Sequence, residues 1–258
     1  MSAASQASAQ ASARVNAWAV EWSDEARFAL YYAPSRESLW WQAGCRWLGR
    51  DPENGTMLTP PQPATLLRAV ADLTRAPQRY GWHGTLIAPF RLGSQVSSRD
   101  VLDAARVWAQ SQASFTLDIE AAQLGDFVAL RPAHDHGEAR MRALASDALT
   151  KLAGLRAAPP AADLARRMAA PLTERQRALL VEWGYPYVFD EFRFHMTLSS
   201  SLESADEREA LAAYWHEEAA RLGPLSIDAA ALFVEPRPGA PFVLWHRLPF
   251  GVRPKGAR

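Results

Sequence analysis

The sequence lacks several features that define common protein classes. Its single cysteine, Cys45, leaves no disulfide within the chain and no zinc site built on cysteines, and its apolar surroundings predict a buried, unreactive thiol. No apolar run reaches the roughly 18 residues of a membrane-spanning helix, so no membrane association is expected. No glycine-rich turn joins a strand to a helix, which argues against a doubly wound parallel fold.

Net charge is also absent. The chain carries 28 Lys and Arg against 28 Asp and Glu, unlike proteins that grip long nucleic acids through a basic surface. A small anionic substrate needs only a few local positive groups, and short RNA ends are the only nucleic acid compatible with this balance. The sequence does not indicate an oligomeric state.

The first 13 residues are rich in Ala, Ser and Gln and contain no charged side chain. They lack the basic start and apolar centre of a signal peptide, so we expect a disordered tail over 1–26 and a cytoplasmic protein. One folded domain is predicted over 27–250, with lobes of about 27–155 and 172–250 separated by an Ala- and Pro-rich stretch. Residues 251–258 are predicted as a second tail.

Strand and helix patterns interleave along this domain. The expected strands are 28–32, 80–87, 115–119, 127–130, 192–198, 227–234 and 242–247, with Pro89 ending the second. The expected helices are 38–48, 64–73, 98–113, 138–152, 173–184 and 205–222. Recurrent hairpin signals indicate an α+β fold with antiparallel sheets. Each half carries one histidine-bearing strand, so the halves are candidates for copies related by a pseudo-two-fold axis.

Two of the six histidines begin the same pattern, His-x-Thr-apolar. It covers residues 83–86 and again residues 195–198. Because side chains alternate across a strand, His83 shares a face with Thr85, and His195 shares one with Thr197. The opposite face of the second strand is entirely apolar. This predicts strands anchored in the core that present imidazole and hydroxyl groups to a cleft.

Paired imidazoles suit the cleavage of a phosphodiester near neutral pH. The neutral one can accept a proton from water or a ribose hydroxyl, and the protonated one can give a proton to the leaving oxygen. Thr85, Thr197 and Arg193 are candidates to stabilise charge on the phosphate oxygens. Such a site requires no metal and no other cofactor. The sequence does not indicate which histidine is the acid.

Several segments together resemble the 2H phosphoesterase superfamily, which includes RNA 2′,3′-cyclic phosphodiesterases. The resemblance rests on residues 28–34, 47–51, 79–86, 88–92 and 189–198, of which the third and fifth segments contain the histidine motifs. It spans roughly 27–250. These segments are similar to one uncharacterised branch that is often encoded with phosphonate-utilisation genes.

The resemblance implies a fold and a substrate class. The fold would have two lobes of antiparallel sheet with outer helices, joined around a cleft that holds both histidines. The substrate would be a cyclic phosphodiester, with 5-phosphoribosyl 1,2-cyclic phosphate as the leading candidate. That branch commonly has a lysine where this chain has Ile87. The substitution removes a positive charge and argues against a doubly phosphorylated substrate.

Other residues have less specific signals. Tyr31, Tyr80 and Arg91 are candidate substrate-binding residues, although core packing or a surface position explains each of them as well. The run from His134 to His136 has metal-ligand types but is expected in a solvated loop. Exposed positions are expected for His216, and a turn for Asp190-Glu191. His246 either lines the cleft or ends a strand.

Three functions follow from these patterns. The first is an enzyme that opens a small cyclic phosphodiester. The second is an RNA-end phosphodiesterase acting on 2′,3′-cyclic termini, which requires a basic groove lined by aromatic residues. The third is a binding module that recognises a phosphorylated metabolite without turnover, for which both histidines and both threonines would be unnecessary.

Overall fold

A computed structural model of the chain describes residues 22–251. Within these residues the strands are β1 Arg27–Tyr32, β2 Gly84–Phe90, β3 Phe115–Leu117, β4 Ile119–Leu124, β5 Phe127–Pro132, β6 Met196–Thr197, β7 Leu225–Ile227, β8 Ala229–Glu235 and β9 Val243–Pro249. The helices are α1 Leu39–Leu48, α2 Val70–Leu73, α3 Arg75–Gln78, α4 Ser98–Gln110, α5 Asp135–Lys151, α6 Ala161–Met168, α7 Glu174–Trp183 and α8 Ala205–Leu222. Short 3₁₀ turns cover Ala153–Leu155 and Phe189–Glu191.

The largest sheet is antiparallel, with strand order β2-β1-β8-β9. Strand β2 lies at its edge, and this position explains why the strand continues through Pro89 instead of ending there. Proline has no N–H to donate to a neighbouring strand, and an edge strand needs donors on one side only.

Two smaller antiparallel sheets complete the α+β fold. Strands β4, β5 and β6 form one, and β3 pairs with β7 in the other. Each of the three sheets combines strands from both predicted lobes, about 27–155 and 172–250. Those boundaries therefore do not divide the sheets, because the strand pairing is long-range rather than local.

Helix α1 shows how local signals set an element that supports the site. The Ser38 hydroxyl accepts the N–H of Trp41 at 3.1 Å, and Gly49 ends the helix at φ 72°. Gly44 on α1 lies against Trp82, the residue before His83, so closely that a Cβ would fall 2.0 Å from the indole. Trp82 is fully buried and also stacks on Trp215 of α8 at 5.7 Å.

Several boundaries differ from prediction. The expected helix 64–73 is helical only from Val70, in a segment with three prolines just before it. The expected strand 192–198 pairs only as the two-residue β6, because side chains bond the Phe192 and Arg193 carbonyls and the Phe194 N–H that a neighbouring strand would otherwise pair with. The run from His134 to His136 forms the N-terminus of α5 rather than a loop.

The described chain begins before the predicted domain. Trp22 packs edge-on against Phe28 at 5.3 Å and Trp245 at 4.9 Å, so residues 22–26 are part of the packed structure and not of a tail. The tails predicted over 1–21 and 252–258 lie outside the described residues. No helix within residues 22–251 combines the length and hydropathy needed to span a bilayer.

Candidate active site

The two histidine motifs lie against each other through their middle residues. Gly84, inside the first motif, contacts Phe194 and Met196, which flank His195. A Cβ on Gly84 would lie 2.4 Å from the Phe194 ring, closer than any real contact. The absence of a side chain at this position therefore lets the two strands approach closely.

The predicted alternation is present around both motifs. Apolar residues on one face are buried, with relative exposures of 0% for Trp82, 1% for Phe194 and 0% for Met196. The histidines and the two threonines on the other face are half-buried. The core thus anchors each motif and leaves its imidazole and hydroxyl near solvent.

The His83 imidazole is held on two sides. Its Nδ1 lies 2.8 Å from the carbonyl oxygen of Gly81, which can only accept, so Nδ1 carries the proton. Its Nε2 lies 3.4 Å from the hydroxyl of Thr85. The ring of Tyr31 stacks on the imidazole at 3.9 Å. These contacts fix both the tautomer and the plane of the ring.

His195 has the same backbone contact. Its Nδ1 donates to the carbonyl oxygen of Arg193 at 3.0 Å, again two residues earlier in the chain. The matching bonds place the proton of each neutral ring on Nδ1 and leave Nε2 unprotonated, where on His83 it faces the Thr85 hydroxyl. The ring of Phe127 lies 5.8 Å from the His195 imidazole.

Burial makes both imidazoles less basic than a histidine in water. It lowers the pKa of His83 to about 4; the bond to Gly81 opposes that decrease, and charge on His195 adds to it. Burial also lowers the pKa of His195, against the bond to Arg193. Charge on His195 affects the pKa of His83, as expected for two rings on motifs that pack against each other. A bound phosphate anion would favour protonation of either ring.

A cavity of about 350 Å³ lies beside the motifs. Its hydrogen-bonding and charged lining includes Thr85, His195, Arg193, Arg156 and Glu191. His83 adjoins it through Thr85 rather than lining it directly. A larger open groove of about 760 Å³ lies elsewhere and is lined by neither histidine. Among residues 22–251, no three His, Cys, Asp or Glu side chains form a group that could hold a metal ion.

A model of the family described as "Protein of unknown function (DUF1045)" matches residues 85–243, more than half of the chain. This chain belongs to the DUF1045 family. The matched range begins at Thr85 and includes the whole second motif.

Two curated relatives of this DUF1045 chain share the name "Ribose 1,5-bisphosphate phosphokinase PhnN". The protein from Janthinobacterium sp. (strain Marseille) is 40% identical over 238 residues, which cover 87% of this chain and 51% of that protein. The protein from Laribacter hongkongensis (strain HLHK9) is 40% identical over 221 residues, covering 84% and 50%. The chain thus spans about half the length of these relatives.

Solved structures show a more distant likeness. A crystal structure of a phosphoesterase aligns with 87% of this chain and 97% of its own, at 13% identity and a TM-score of 0.37. E. coli LigT in its apo form aligns with 88% and 98%, at 13% identity and a TM-score of 0.35. At scores this low, the fold of this DUF1045 chain rests on its own strands and helices.

The substrate-binding candidates in this DUF1045 chain lie at different places. Arg193 lines the cavity and donates from Nη1 to the carbonyl oxygens of Asp190 and Phe192, both at 2.7 Å. Tyr31 is 1% exposed, so in this structure it supports His83 rather than facing the cavity. Tyr80 is half-buried, and its ring lies 6.2 Å from the His83 imidazole.

Two other candidates lie away from the cavity. Arg91 pairs with Glu25 at 3.2 Å and borders a separate small pocket. His246 is three strands from Ile87 in the large sheet, because their partners Leu30 and Leu232 lie between them. His246 therefore does not line the cavity.

The cavity also contains residues that the sequence did not indicate. Tyr185 and Tyr187 come from the segment after α7, and Arg156 follows the 3₁₀ turn after α5. Glu138 of α5 accepts the N–H of Phe194 at 3.3 Å, and burial raises its pKa. These positions lie in segments without a local motif, so only the long-range packing brings them to the histidines.

The segment before the second motif holds a rare backbone conformation. Phe189 has φ 52°, and it is the only residue other than glycine with positive φ among the described residues. Its ring packs edge-on against Trp183 at 4.8 Å, a contact that offsets the cost of this conformation. Backbone strain here lies six residues from His195.

Proposed function

We propose that this chain is a metal-independent phosphodiesterase that opens a small cyclic phosphodiester, with His83 and His195 as its acid–base pair. The observation that carries the proposal is the matched setting of the two imidazoles. Each donates Nδ1–H to the carbonyl two residues earlier, at 2.8 and 3.0 Å, and keeps Nε2 for proton exchange. Core packing alone does not require this repetition.

The reaction is hydrolysis with balanced proton transfer. A water oxygen attacks phosphorus while the neutral imidazole takes one water proton at Nε2. The bond from phosphorus to one ring oxygen breaks, and the protonated imidazole gives its proton to that oxygen. One cyclic diester and one water become one monoester, and exchange with solvent restores the two protonation states.

We assign the base role to His83. It lies deeper than the cavity wall, stacked on Tyr31, and its pKa of about 4 keeps it neutral in the free protein. His195 lines the cavity directly and is assigned as the acid, with its pKa raised when the phosphate anion binds. The hydroxyls of Thr85 and Thr197 and the remaining N–H groups of Arg193 stabilise charge on the phosphate oxygens.

The cavity favours a small substrate. A volume of about 350 Å³ suits a metabolite rather than a polymer. We propose 5-phosphoribosyl 1,2-cyclic phosphate, since the sequence resembles the branch associated with phosphonate-utilisation genes. The curated relatives carry a name that concerns another phosphorylated ribose.

One observation favours a second candidate substrate. Tyr185 and Tyr187 line the cavity, and Tyr187 is 45% exposed, so a nucleobase could stack there. The RNA 2′,3′-cyclic phosphodiesterase hypothesis therefore belongs in the same assay. The binding-module hypothesis predicts affinity for one of these esters without turnover.

The test is a substrate panel with EDTA-treated protein. 5-Phosphoribosyl 1,2-cyclic phosphate and the 2′,3′-cyclic nucleotides are incubated separately, and products are followed by phosphorus NMR. We expect turnover of the phosphoribosyl ester in EDTA. Preference for the nucleotides would make them the substrate in place of the phosphoribosyl ester. Turnover only after metal addition would overturn the metal-independent mechanism. Tight binding without turnover would favour the binding module.

A further inference from the structure

Arg156 carries a charge that no described residue balances. Among residues 22–251, no carboxylate lies within ion-pair distance of it, although Glu191 lines the same cavity. Glu191 instead accepts a hydrogen bond from Gln176 at 2.9 Å. By contrast, the nearby Arg91 and Arg175 pair with Glu25 and Asp190.

The guanidinium of Arg156 is anchored but incompletely bonded. Its Nη2 donates to the carbonyl oxygen of Trp183 at 2.7 Å, and its carbon lies 5.7 Å from the Phe90 ring centre. Its Nε is buried and has no hydrogen-bond partner among the described residues. Arg91 and Arg142 share this buried Nε, but the guanidinium of Arg156 also lines the cavity with only one hydrogen bond, so an anion there would supply acceptors to its remaining donors.

The charge next to Arg156 is also positive. Burial lowers the pKa of Arg156, and the positive charge of Arg167 lowers it further. Arg167 itself donates to the carbonyl oxygen of Gly184 at 3.3 Å and does not line the cavity. The charge of Arg167 adds to the positive potential around Arg156, and Glu191 is the one acidic residue among the described residues that line the cavity.

We propose that Arg156 binds a second phosphate of the substrate, a phosphate monoester remote from the ester bond that is cleaved. This inference rests on the proposed function and names the group that sets its specificity. Arg156 would also supply the positive charge that is missing at Ile87, where the resembling branch has a lysine. Ile87 is 2% exposed and lines the same cavity.

Arg156 approaches the cavity from the end of β2 that is distant from His83. A β-bridge joins Arg156 to Leu92, and Ala157 donates to the Arg91 carbonyl oxygen at 2.8 Å, so the segment lies beyond the far end of β2 from His83. The Arg156 guanidinium nevertheless lines the same cavity as Thr85 and His195, so a phosphate bound by Arg156 would share that cavity with an ester bound at the histidines.

The first arm of the test uses the unmodified protein. Hydrolysis of 5-phosphoribosyl 1,2-cyclic phosphate is compared with hydrolysis of ribose 1,2-cyclic phosphate, which lacks the second phosphate. We expect kcat/KM to be about 10- to 100-fold higher for the phosphorylated ester. Equal values would overturn the inference while leaving the proposed function intact.

The second arm locates the effect. Arg156→Gln should lower kcat/KM about 10- to 100-fold for the phosphorylated ester and leave the other ester nearly unchanged, whereas Arg156→Lys should retain part of the preference. Arg166→Gln is the matched control, since it removes an exposed arginine that pairs with Asp163 and does not line the cavity, and it should leave both esters unaffected. Thermal denaturation checks that each variant folds.

A binding measurement separates this inference from the chemistry. Calorimetry compares ribose 5-phosphate with ribose on the same variants. If neither ester is cleaved but ribose 5-phosphate binds and Arg156→Gln weakens that binding about 10-fold or more, the proposed function fails and the phosphate site stands. If Arg156→Gln and the unmodified protein bind equally, the phosphate site is wrong.

Discussion

The two histidine motifs share a sequence pattern and a hydrogen-bonding arrangement, but different parts of the fold support them. His83 immediately precedes β2, a seven-residue strand of the large sheet. His195 immediately precedes β6, which pairs over two residues only. The first motif is therefore held mainly by backbone pairing.

The second motif depends more on side-chain hydrogen bonds, two of which come from neighbouring helices. The indole of Trp47 on α1 donates to the carbonyl oxygen of Leu198 at 2.8 Å. The hydroxyl of Ser199 accepts the N–H of Val128 at 3.0 Å, and Glu138 bonds the backbone beside His195. Two equivalent imidazoles are thus positioned in different ways, the first by the hydrogen bonds between paired strands and the second by side-chain contacts. We therefore expect side-chain substitutions outside the motifs to affect the second histidine more than the first.

The largest expected effect comes from the histidines themselves. His83→Ala and His195→Ala should each lower kcat about 10²- to 10⁴-fold on the preferred cyclic ester, because each removes one proton-transfer group. The double variant should be little worse than either single variant, since the two groups act as a unit. His216→Ala, which changes an exposed histidine on α8, serves as the control in the same steady-state assay. Additive losses would show that the two imidazoles act independently.

The next effect tests the contact between the motifs. Gly84→Ala places a methyl group against the Phe194 ring, so we expect a loss of about 1–3 kcal/mol in the free energy of unfolding and a lower kcat. Adding Phe194→Leu should recover part of both by removing the ring. Gly154→Ala, where a Cβ meets nothing, is the control. Urea denaturation and kcat are measured on all four proteins; full activity in Gly84→Ala would show that the close approach is unimportant.

A smaller effect should appear at the side-chain support of the second motif. Glu138→Ala leaves the Phe194 N–H without its acceptor, for a loss of about 1 kcal/mol in the free energy of unfolding and a several-fold lower kcat. Glu138→Gln keeps an acceptor oxygen and should restore most of both. If the two variants behave alike in urea denaturation and in the assay, the charge of Glu138 matters rather than its hydrogen bond.

The last expected effect concerns stability alone and appears only as the pH is lowered. The pKa of His83 is about 4 in the folded protein, below the ordinary value of 6.5, so the unfolded chain binds more protons between these values. This contribution to stability is complete above pH 6.5 and is lost as the pH falls to about 4. In His83→Gln the free energy of unfolding should fall by about 1–3 kcal/mol less than in the unmodified protein, as measured by urea denaturation across this pH range. Parallel curves for the two proteins would contradict the lowered pKa.

Much of this architecture could be predicted from local signals. The capping residues Ser38 and Thr173 and the terminal Gly49 and Gly184 set the ends of α1 and α7, because these signals act within a few residues. The motif alternation predicted which side chains are buried for the same reason. The buried Cys45 and the exposed His216 also agree with the sequence interpretation.

The predictions that were wrong concern features that depend on contacts distant in sequence. The sequence predicts that Pro89 ends β2, and this is wrong because nothing local shows that the strand lies at a sheet edge. The sequence also could not place Arg156 in the cavity or Arg91 outside it, since both are arginines near turns. Which charges face the histidines follows from how the segments after α5 and α7 pack on β2.

The pH dependence of kcat/KM in three proteins tests the acid–base pair most directly. The unmodified protein should give a bell-shaped profile, and the His83→Ala and His195→Ala variants should each lose a different limb: the acidic limb for the base His83, the basic limb for the acid His195. The same measurement on His216→Ala should keep the full bell. A profile that retains both limbs in either active-site variant would contradict the two-histidine mechanism.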